Sequence, residues 1–174
     1  MEIKRYIAEC EAAWDDFVLL EACNGTFLQT RRFLNYHPKG RFVDASLMVY
    51  DDKRHLVAVC PACEKYENEK KIFYSHGGST YGGIVIAEKY YKVGKVIEII
   101  CLLEEEWKSA GYTDIVLKQT PSILGERSVD LFQYCFCYLG YQCCNELNLY
   151  VDVADYQGDF LKNKRNVPLL NVSL

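Results

Sequence analysis

The sequence predicts a single α/β (α+β) domain, in which a mixed, mainly antiparallel central sheet carries helices on both faces. Two observations support this fold class. Apolar residues recur every three to four positions along Lys89–Ser109, which indicates a long amphipathic helix. Two β-rich runs, Ala45–Tyr50 and His55–Cys60, flank the polar turn Asp51–Arg54, which indicates an antiparallel hairpin. Because strands and helices alternate after the hairpin, we also expect a βαβ crossover.

The remaining elements follow from the same patterns. Before the hairpin we predict a strand at Ile3–Ala8, a helix at Glu11–Cys23, and a short helix at Arg31–Tyr36 that Thr30 caps. After it, two strands flank a glycine-rich bend, and the long helix leads into a final strand, helix and strand. These later elements are Lys71–Ser75, Gly83–Ile86, Lys89–Ser109, Asp114–Lys118, about Ser128–Leu139 and Glu146–Val153.

Composition excludes several classes of protein. The chain of 174 residues has a net charge of −4 and no basic stripe, so we expect no DNA partner. No apolar run approaches the ~18 residues of a membrane span, and no secretory signal is visible. The nine cysteines are therefore interpreted as reduced thiols of a cytoplasmic protein. Sequence motifs of serine hydrolases, P-loop NTPases and zinc peptidases are absent.

One CxxC motif, Cys60–Cys63, does not favour redox or zinc chemistry. Redox activity needs the first cysteine at a helix N-terminus, which lowers its pKa, and here that cysteine ends a strand. Zinc would need two more ligands at suitable spacing, and no second CxxC supplies them. No metal site is predicted.

The strongest candidate site is the glycine-rich loop His76–Gly83. Four glycines in eight residues permit positive φ and close approach of a ligand. Ser79, Thr80 and Tyr81 supply hydroxyls, and His76 can titrate near neutral pH. One interpretation is a binding site for a sugar or an amine-bearing precursor, in which His76 or Tyr81 is the candidate base. The alternative is a wide turn or bulge between two strands.

Two further basic positions are candidate substrate contacts. Arg31, with its neighbour Arg32, follows the Thr30 cap and could bind an anionic group. Lys118 lies at a strand end, where sheet folds often bind ligands. The alternative in both cases is an ordinary solvated surface residue.

Several short strings, in a fixed order along the chain, resemble the first domain of bacterial Fem-type acyltransferases, the subgroup often found near surface-polysaccharide genes. They are Asn24–Thr30, Tyr36–His37, Leu56–Ala62, Ser75–Gly83 and Lys118–Pro121. The order of elements is also similar to that of the GNAT N-acetyltransferases. The resemblance covers about residues 10 to 166, and it implies the acyl-CoA N-acyltransferase fold.

The resemblance implies transfer of an acyl or aminoacyl group to an amine of a sugar or cell-envelope precursor, with acyl-CoA or aminoacyl-tRNA as the donor. The usual CoA phosphate loop of this fold reads (Gln/Arg)-x-x-Gly-x-(Gly/Ala). The matching residues, Tyr91–Val96, keep only Gly94, and Glu88 nearby would repel phosphate. The phosphate loop is thus not preserved, no cofactor-binding residue is assigned, and we expect the chain to supply mainly acceptor binding.

Members of the family usually carry two such domains in tandem. Residues 1–159 are expected to form one GNAT-like domain. Residues 160–174 are expected to form a C-terminal stub, because Lys162–Asn166 resembles the basic helix that leads into the second domain. The implied partner is a second acyltransferase domain or another copy of the chain. The alternative is a catalytically inactive module with the same fold, which dimerises or docks on a partner through some of its 14 tyrosines.

Overall fold

The computed structural model describes residues 1–124 and 130–144, and the elements below all belong to one compact unit, residues 1–143. The strands are β1 (Glu2–Arg5), β2 (Val43–Asp44), β3 (Leu47–Tyr50), β4 (Leu56–Cys60), β5 (Ala62–Glu67), β6 (Lys70–Ser75), β7 (Val85–Ile86) and β8 (Asp114–Val116). The α-helices are α1 (Glu11–Asp16), α2 (Arg31–Leu34), α3 (Val93–Ser109) and α4 (Asp130–Tyr138). The predicted strand Glu146–Val153 and the predicted stub 160–174 lie outside the described residues.

The strands form two four-stranded sheets. Their orders are β1-β3-β4-β7 and β2-β5-β6-β8, and every neighbouring pair is antiparallel except β6 and β8. The parallel pair is the expected crossover, since α3 connects β7 to β8 and returns the chain to the second sheet. The prediction of a mixed, mainly antiparallel α/β fold is therefore confirmed.

The expected single sheet is divided because three segments of chain leave the ladder at the same level. β2 passes to β3 through Ala45 and Ser46, β4 passes to β5 at Pro61, and β6 reaches β7 through residues 76–84. Proline has no backbone N–H to contribute to a ladder. At this break the Ser46 hydroxyl takes the place of a backbone partner for Ala62. It accepts the Ala62 N–H at 3.1 Å and lies 3.2 Å from the Ala62 carbonyl oxygen.

Helices cover both faces of the first sheet, as predicted. One face packs Met48, Val59 and Val85 against apolar side chains of α1 and of the π-helical turn Phe17–Glu21 that follows it. The opposite face packs against the apolar stripe of α3 and against α4. In α3 the buried side chains are Val96, Ile99, Ile100, Leu103 and Trp107. No helix within residues 1–124 and 130–144 is long and apolar enough to cross a membrane.

Element boundaries differ from the prediction at two instructive places. The strand β5 and its tight hairpin with β6 were not predicted as such, because the turn at Asn68 and Glu69 contains no glycine although both residues have positive φ. The helix predicted from Lys89 begins instead at Val93, because Glu88–Tyr90 form a separate 3₁₀ turn. The cap predicted at Thr30 is confirmed, since its hydroxyl accepts the Phe33 N–H at 3.3 Å.

Candidate functional site

The glycine-rich loop lies at the break between the two sheets and is held by a buried polar network. Gln29 is fully buried, and its amide Nε2 donates to the Gly82 carbonyl at 2.7 Å and to the Thr120 hydroxyl at 2.8 Å. The Thr120 hydroxyl donates in turn to the Asn24 carbonyl. The Asn24 side chain donates to the Ile84 carbonyl at 2.8 Å and accepts the Ile86 N–H at 2.9 Å. Three distant segments of chain, residues 24–29, 82–86 and 120, are therefore joined at one point.

The end of the loop is tied to the segment after β8. The Gly82 N–H donates to the Lys118 carbonyl at 2.8 Å, and the Ser75 hydroxyl accepts N–H groups from both Gly83 and Lys118. Gly83 has a φ of +65°, and a Cβ there would lie 2.6 Å from Oε1 of Gln119. This half of the loop therefore serves strand geometry, which was the alternative considered from the sequence.

The beginning of the loop faces a pocket of about 310 Å³ between α2, the segment that follows it and β2. The pocket combines a paired Arg–Asp couple, two imidazoles and an aromatic ring. Its lining residues are Arg31, Leu34, Asn35, His37, Pro38, Lys39, Gly40, Phe42, Asp44 and His76.

His76 lies at the back of this pocket and is 4 % exposed. Burial, together with the nearby positive charge of Arg31, lowers the pKa of His76 to about 4, although Asp44 opposes the shift. Its Nδ1 accepts the Gly78 N–H at 3.2 Å, so the proton of the neutral ring lies on Nε2. No partner for Nε2 occurs among the residues that the structure describes. The geometry thus favours His76 as a hydrogen-bond donor to a ligand rather than as a base.

The second imidazole, His37, fixes the loop from outside. Its Nε2 lies 2.8 Å from the Gly78 carbonyl oxygen, and its ring is stacked 6.4 Å from that of His76. The Phe42 ring contacts both imidazoles, with centroid separations of 5.2 and 5.0 Å. A Cβ on Gly78 would lie 2.1 Å from Nε2 of His37, so close approach requires glycine at this position.

Arg31 borders the pocket, and its guanidinium is already engaged by protein groups. It is 3 % exposed, forms a salt bridge with Asp44, and donates to the Ser46 hydroxyl at 3.0 Å and to Asn35 at 3.1 Å. Its guanidinium carbon lies 3.7 Å from the centre of the Tyr6 ring. Asp44 retains 34 % side-chain exposure and presents a carboxylate to the pocket.

The structure unites only two of the residues predicted from the sequence, Arg31 and His76, in this pocket. Tyr81 is buried, and its hydroxyl lies 3.3 Å from that of Thr26. The Ser79 hydroxyl donates to the Leu28 carbonyl at 3.2 Å, and Thr80 is exposed. Lys118 is half-buried beyond the other end of the loop. Substrate roles for these four residues remain predictions.

Sequence reasoning did not find Asp44, Asn35, Phe42 or the contact of His37. The string Tyr36–His37 entered the resemblance without a role, and the contact between His37 and Gly78 now supplies one. Asp44 gave no signal, because a single acid beside a short strand is common in any sequence. Its pairing with Arg31 depends on folding that brings α2 against β2.

The matching donor position, at the amino end of α3, fits a phosphate only in part. Lys92 occupies the N-cap without a side-chain cap, and Lys89 and Lys95 lie within one turn of it. Gly94 is exposed, and apart from its two chain neighbours and the backbone of its own helix no atom lies within 4 Å of an added Cβ. Val96, in contrast, is fully buried in the core and cannot form part of an open loop. The amino end of α3 therefore carries positive charge but lacks the glycine-rich phosphate loop of this fold.

The CxxC pair lies in the interior. Cys60 is fully buried, and Cys63 is nearly so. Burial raises the pKa of both thiols. Among the described residues, no group of three or more His, Cys, Asp or Glu side chains could hold a metal ion.

Solved structures with a similar fold include aminoglycoside acetyltransferases, which this chain matches over almost their whole length. An aminoglycoside 6′-N-acetyltransferase from Acinetobacter haemolyticus is 15% identical with a TM-score of 0.51, covering 87% of this chain and 98% of its own. An aminoglycoside acetyltransferase from an uncultured soil metagenomic sample is 16% identical with a TM-score of 0.50, covering 87% and 100%. A protein from Bacillus halodurans is 12% identical with a TM-score of 0.53, covering 87% and 99%.

These likenesses define the class of structure. The chain has the GNAT acyl-CoA N-acyltransferase fold, as the order of its elements predicted. At such low identity they show the fold alone. No protein-family model matches the chain, and no curated protein matches it.

Proposed function

We propose that this chain is an N-acyltransferase domain and that the pocket beside His76 binds the amine-bearing acceptor. The observation that carries the proposal is the placement of His76, whose ring lines a pocket of about 310 Å³ together with Asp44 and whose Nδ1 is already bonded to the Gly78 N–H. A cavity of this volume suits a monosaccharide-sized ligand. The reaction class is transfer of an acyl or aminoacyl group to an amine of a sugar or cell-envelope precursor, in the manner of the Fem-type enzymes that the sequence resembles.

The pocket holds three charged side chains, Arg31, Lys39 and Asp44, and its carboxylate suits the ammonium group of an amino sugar. Asp44 offers a carboxylate to an incoming ammonium group, while its salt bridge to Arg31 keeps it in place. His76 donates from Nε2 to a hydroxyl or carbonyl oxygen of the same ligand. In the reaction, the bound ammonium group first releases one proton to water. The neutral amine nitrogen then forms a bond to the acyl carbonyl carbon, the bond to the donor sulfur or oxygen breaks, and the leaving thiolate or alkoxide takes up the proton that the amine loses. The pocket supports positioning of the acceptor, and no residue is assigned as the base that transfers this proton.

The donor in this proposal is acyl-CoA, with the lysines at the amino end of α3 facing its phosphates. Lys89 and Lys92 supply charge there, and Lys95 is partly neutralised by Glu98 at 2.7 Å. Because the glycine-rich phosphate loop is missing, we expect acyl-CoA to bind weakly. Aminoacyl-tRNA is the second donor that the resemblance implies, and the two are distinguished by direct titration.

A second function is favoured by one specific observation. Val96 belongs to the buried core, so the position that should approach the donor phosphates serves packing instead. This favours an inactive module of the same fold, which dimerises or docks on a partner. In that case neither donor would bind, and sedimentation would show whether the chain self-associates.

The test is calorimetric titration of the protein with acetyl-CoA, with an aminoacyl-tRNA, with glucosamine, and with glucosamine in the presence of each donor, followed by mass spectrometry for the N-acylated sugar. His76→Leu, which removes the Nε2 donor, should weaken glucosamine binding about three- to tenfold, the cost of one hydrogen bond. It should leave acetyl-CoA binding unchanged. The matched control is His55→Leu, since His55 is exposed at the β3–β4 turn and lies outside the pocket. Absence of heat with every ligand, and of any acylated product, would refute the enzymatic proposal in favour of the inactive module.

A further inference from the structure

A pair of exposed thiols lies at the end of α4, away from the pocket beside His76. Cys137 is on the last turn of α4, and Cys143 is on the segment that follows it. Their Sγ atoms are 3.3 Å apart. A disulfide requires an S–S separation of about 2.05 Å, so closure needs a movement of little more than one ångström.

The chain between the two cysteines is already folded back on the helix. Gly140, with a φ of +87°, ends α4, and its N–H donates to the Cys137 carbonyl at 3.1 Å. The Tyr141 N–H donates to the Phe136 carbonyl at 2.9 Å, which completes a Schellman-type C-cap.

Tyr141 fixes this return. Its ring packs edge-on against Phe136 with a centroid separation of 5.0 Å, and its hydroxyl donates to Glu104 of α3 at 2.8 Å. Because the fold holds the two thiols together before they react, bond formation loses little chain entropy. The remaining cysteines differ in this respect, since within the described chain only Cys137 and Cys143 have sulfur atoms in contact.

We propose that Cys137 and Cys143 are a modification site. They form a disulfide with each other when they react with a low-molecular-weight disulfide such as oxidised glutathione. One protein thiolate attacks a glutathione sulfur and releases the first glutathione thiolate, which takes up a proton. The second protein thiolate attacks the resulting mixed disulfide and releases the second glutathione. The protein loses two hydrogen atoms and gains one S–S bond, while one glutathione disulfide becomes two thiols.

The test equilibrates the full chain in glutathione buffers of increasing oxidised-to-reduced ratio, quenches with acid, and alkylates the remaining thiols. Chymotryptic cleavage after Tyr138 or Tyr141 separates Cys137 from Cys143, so the two peptides stay joined only through a disulfide. We expect this joined pair to appear at a ratio at which Cys10 and Cys101 are still alkylated. A non-reducing gel should show that the oxidised chain is monomeric.

Two serine variants complete the experiment. Cys137→Ser should abolish the joined peptides, whereas Cys144→Ser, which changes the neighbour of Cys143, should leave them in place. The proposal is overturned if Cys144→Ser abolishes the bond, if only mixed glutathione adducts accumulate, or if the cysteines link separate molecules. None of these outcomes depends on acyltransferase activity.

Discussion

The buried amide of Gln29 gives the sharpest prediction about how the candidate site is built. Gln29→Ala should destabilise the protein and loosen the glycine-rich loop, although the residue lies outside the pocket lining. The wild-type side chain accepts the Thr26 N–H at 2.9 Å and donates to the Gly82 carbonyl at 2.7 Å and the Thr120 hydroxyl at 2.8 Å.

The magnitude follows from the groups that lose a partner. The Thr120 hydroxyl keeps its bond to the Asn24 carbonyl, so the unpaired groups are the Gly82 carbonyl and the Thr26 N–H. An unpaired buried group costs about 1–3 kcal/mol. The cavity left by four side-chain atoms adds about 1–2 kcal/mol. The freed rotamer entropy of glutamine returns up to ~2 kcal/mol. We therefore expect a loss of about 3 kcal/mol, which lowers Tm by about 9 °C for a chain of this size.

Urea denaturation followed by the fluorescence of Trp14 and Trp107 measures this loss, since both indoles are buried. The matched control is Gln142→Ala, because Gln142 is exposed and should change stability by less than ~0.5 kcal/mol. Hydrogen exchange should in addition show faster exchange of the Gly82 and Gly83 amides in Gln29→Ala. A loss no larger than that of the control, with unchanged exchange, would refute the view that this network holds the loop.

Three further predictions test the surroundings of the site. Gly94→Ala should raise the free energy of unfolding by about 1 kcal/mol, because Gly94 is an exposed helical glycine with open space around an added Cβ. Thermal unfolding measures this gain. Weaker acetyl-CoA binding in the variant would assign Gly94 to the donor site. Burial lowers the pKa of His76 to about 4 in the folded protein, so the unfolded chain binds more protons between about pH 6.5 and 4. The free energy of unfolding should therefore fall with falling pH in this range, by up to about 1.4 kcal/mol per pH unit. Urea titrations across the range should show that His76→Gln removes this slope. Arg31→Lys should lower the free energy of unfolding by about 2 kcal/mol, because lysine cannot reproduce the guanidinium bonds to Asp44, Ser46 and Asn35. The control Arg32→Lys, at an exposed neighbour, should change it by less than ~0.5 kcal/mol in the same urea assay. Equal effects of the two substitutions would contradict the buried role of Arg31.

Most of the fold could be predicted because its elements carry local signals. The period of α3, the hairpin around Asp51–Arg54 and the Thr30 cap each depend on residues within a few positions of one another. The division into two sheets had no such signal. It results from three breaks at one level, and although Pro61 and the glycines of residues 76–83 each mark a break locally, neither indicates that the breaks coincide.

The candidate site was predictable as a loop and not as a pocket. Glycine content identified residues 76–83, and the identity of His76 drew attention to its ring. The predicted role as a base depended on an ordinary pKa, and burial together with the positive charge of Arg31 lowers the pKa of His76. The hydroxyls of Ser79 and Tyr81 have protein partners at a distance of about fifty residues in sequence, and no local pattern encodes such pairings.

The pocket and the break between the sheets are one structural feature. Where the strands leave their ladders, backbone groups need other partners, and the side chains of the pocket supply them. Asp44 accepts the Ser46 N–H at 2.8 Å, His76 accepts the Gly78 N–H, and His37 bonds the Gly78 carbonyl. These residues therefore serve folding whether or not a ligand binds, so loss of binding in a variant has meaning only when its stability is known. A ligand role for His76 is established when His76→Leu weakens glucosamine binding in a protein that remains fully folded at the temperature of the titration.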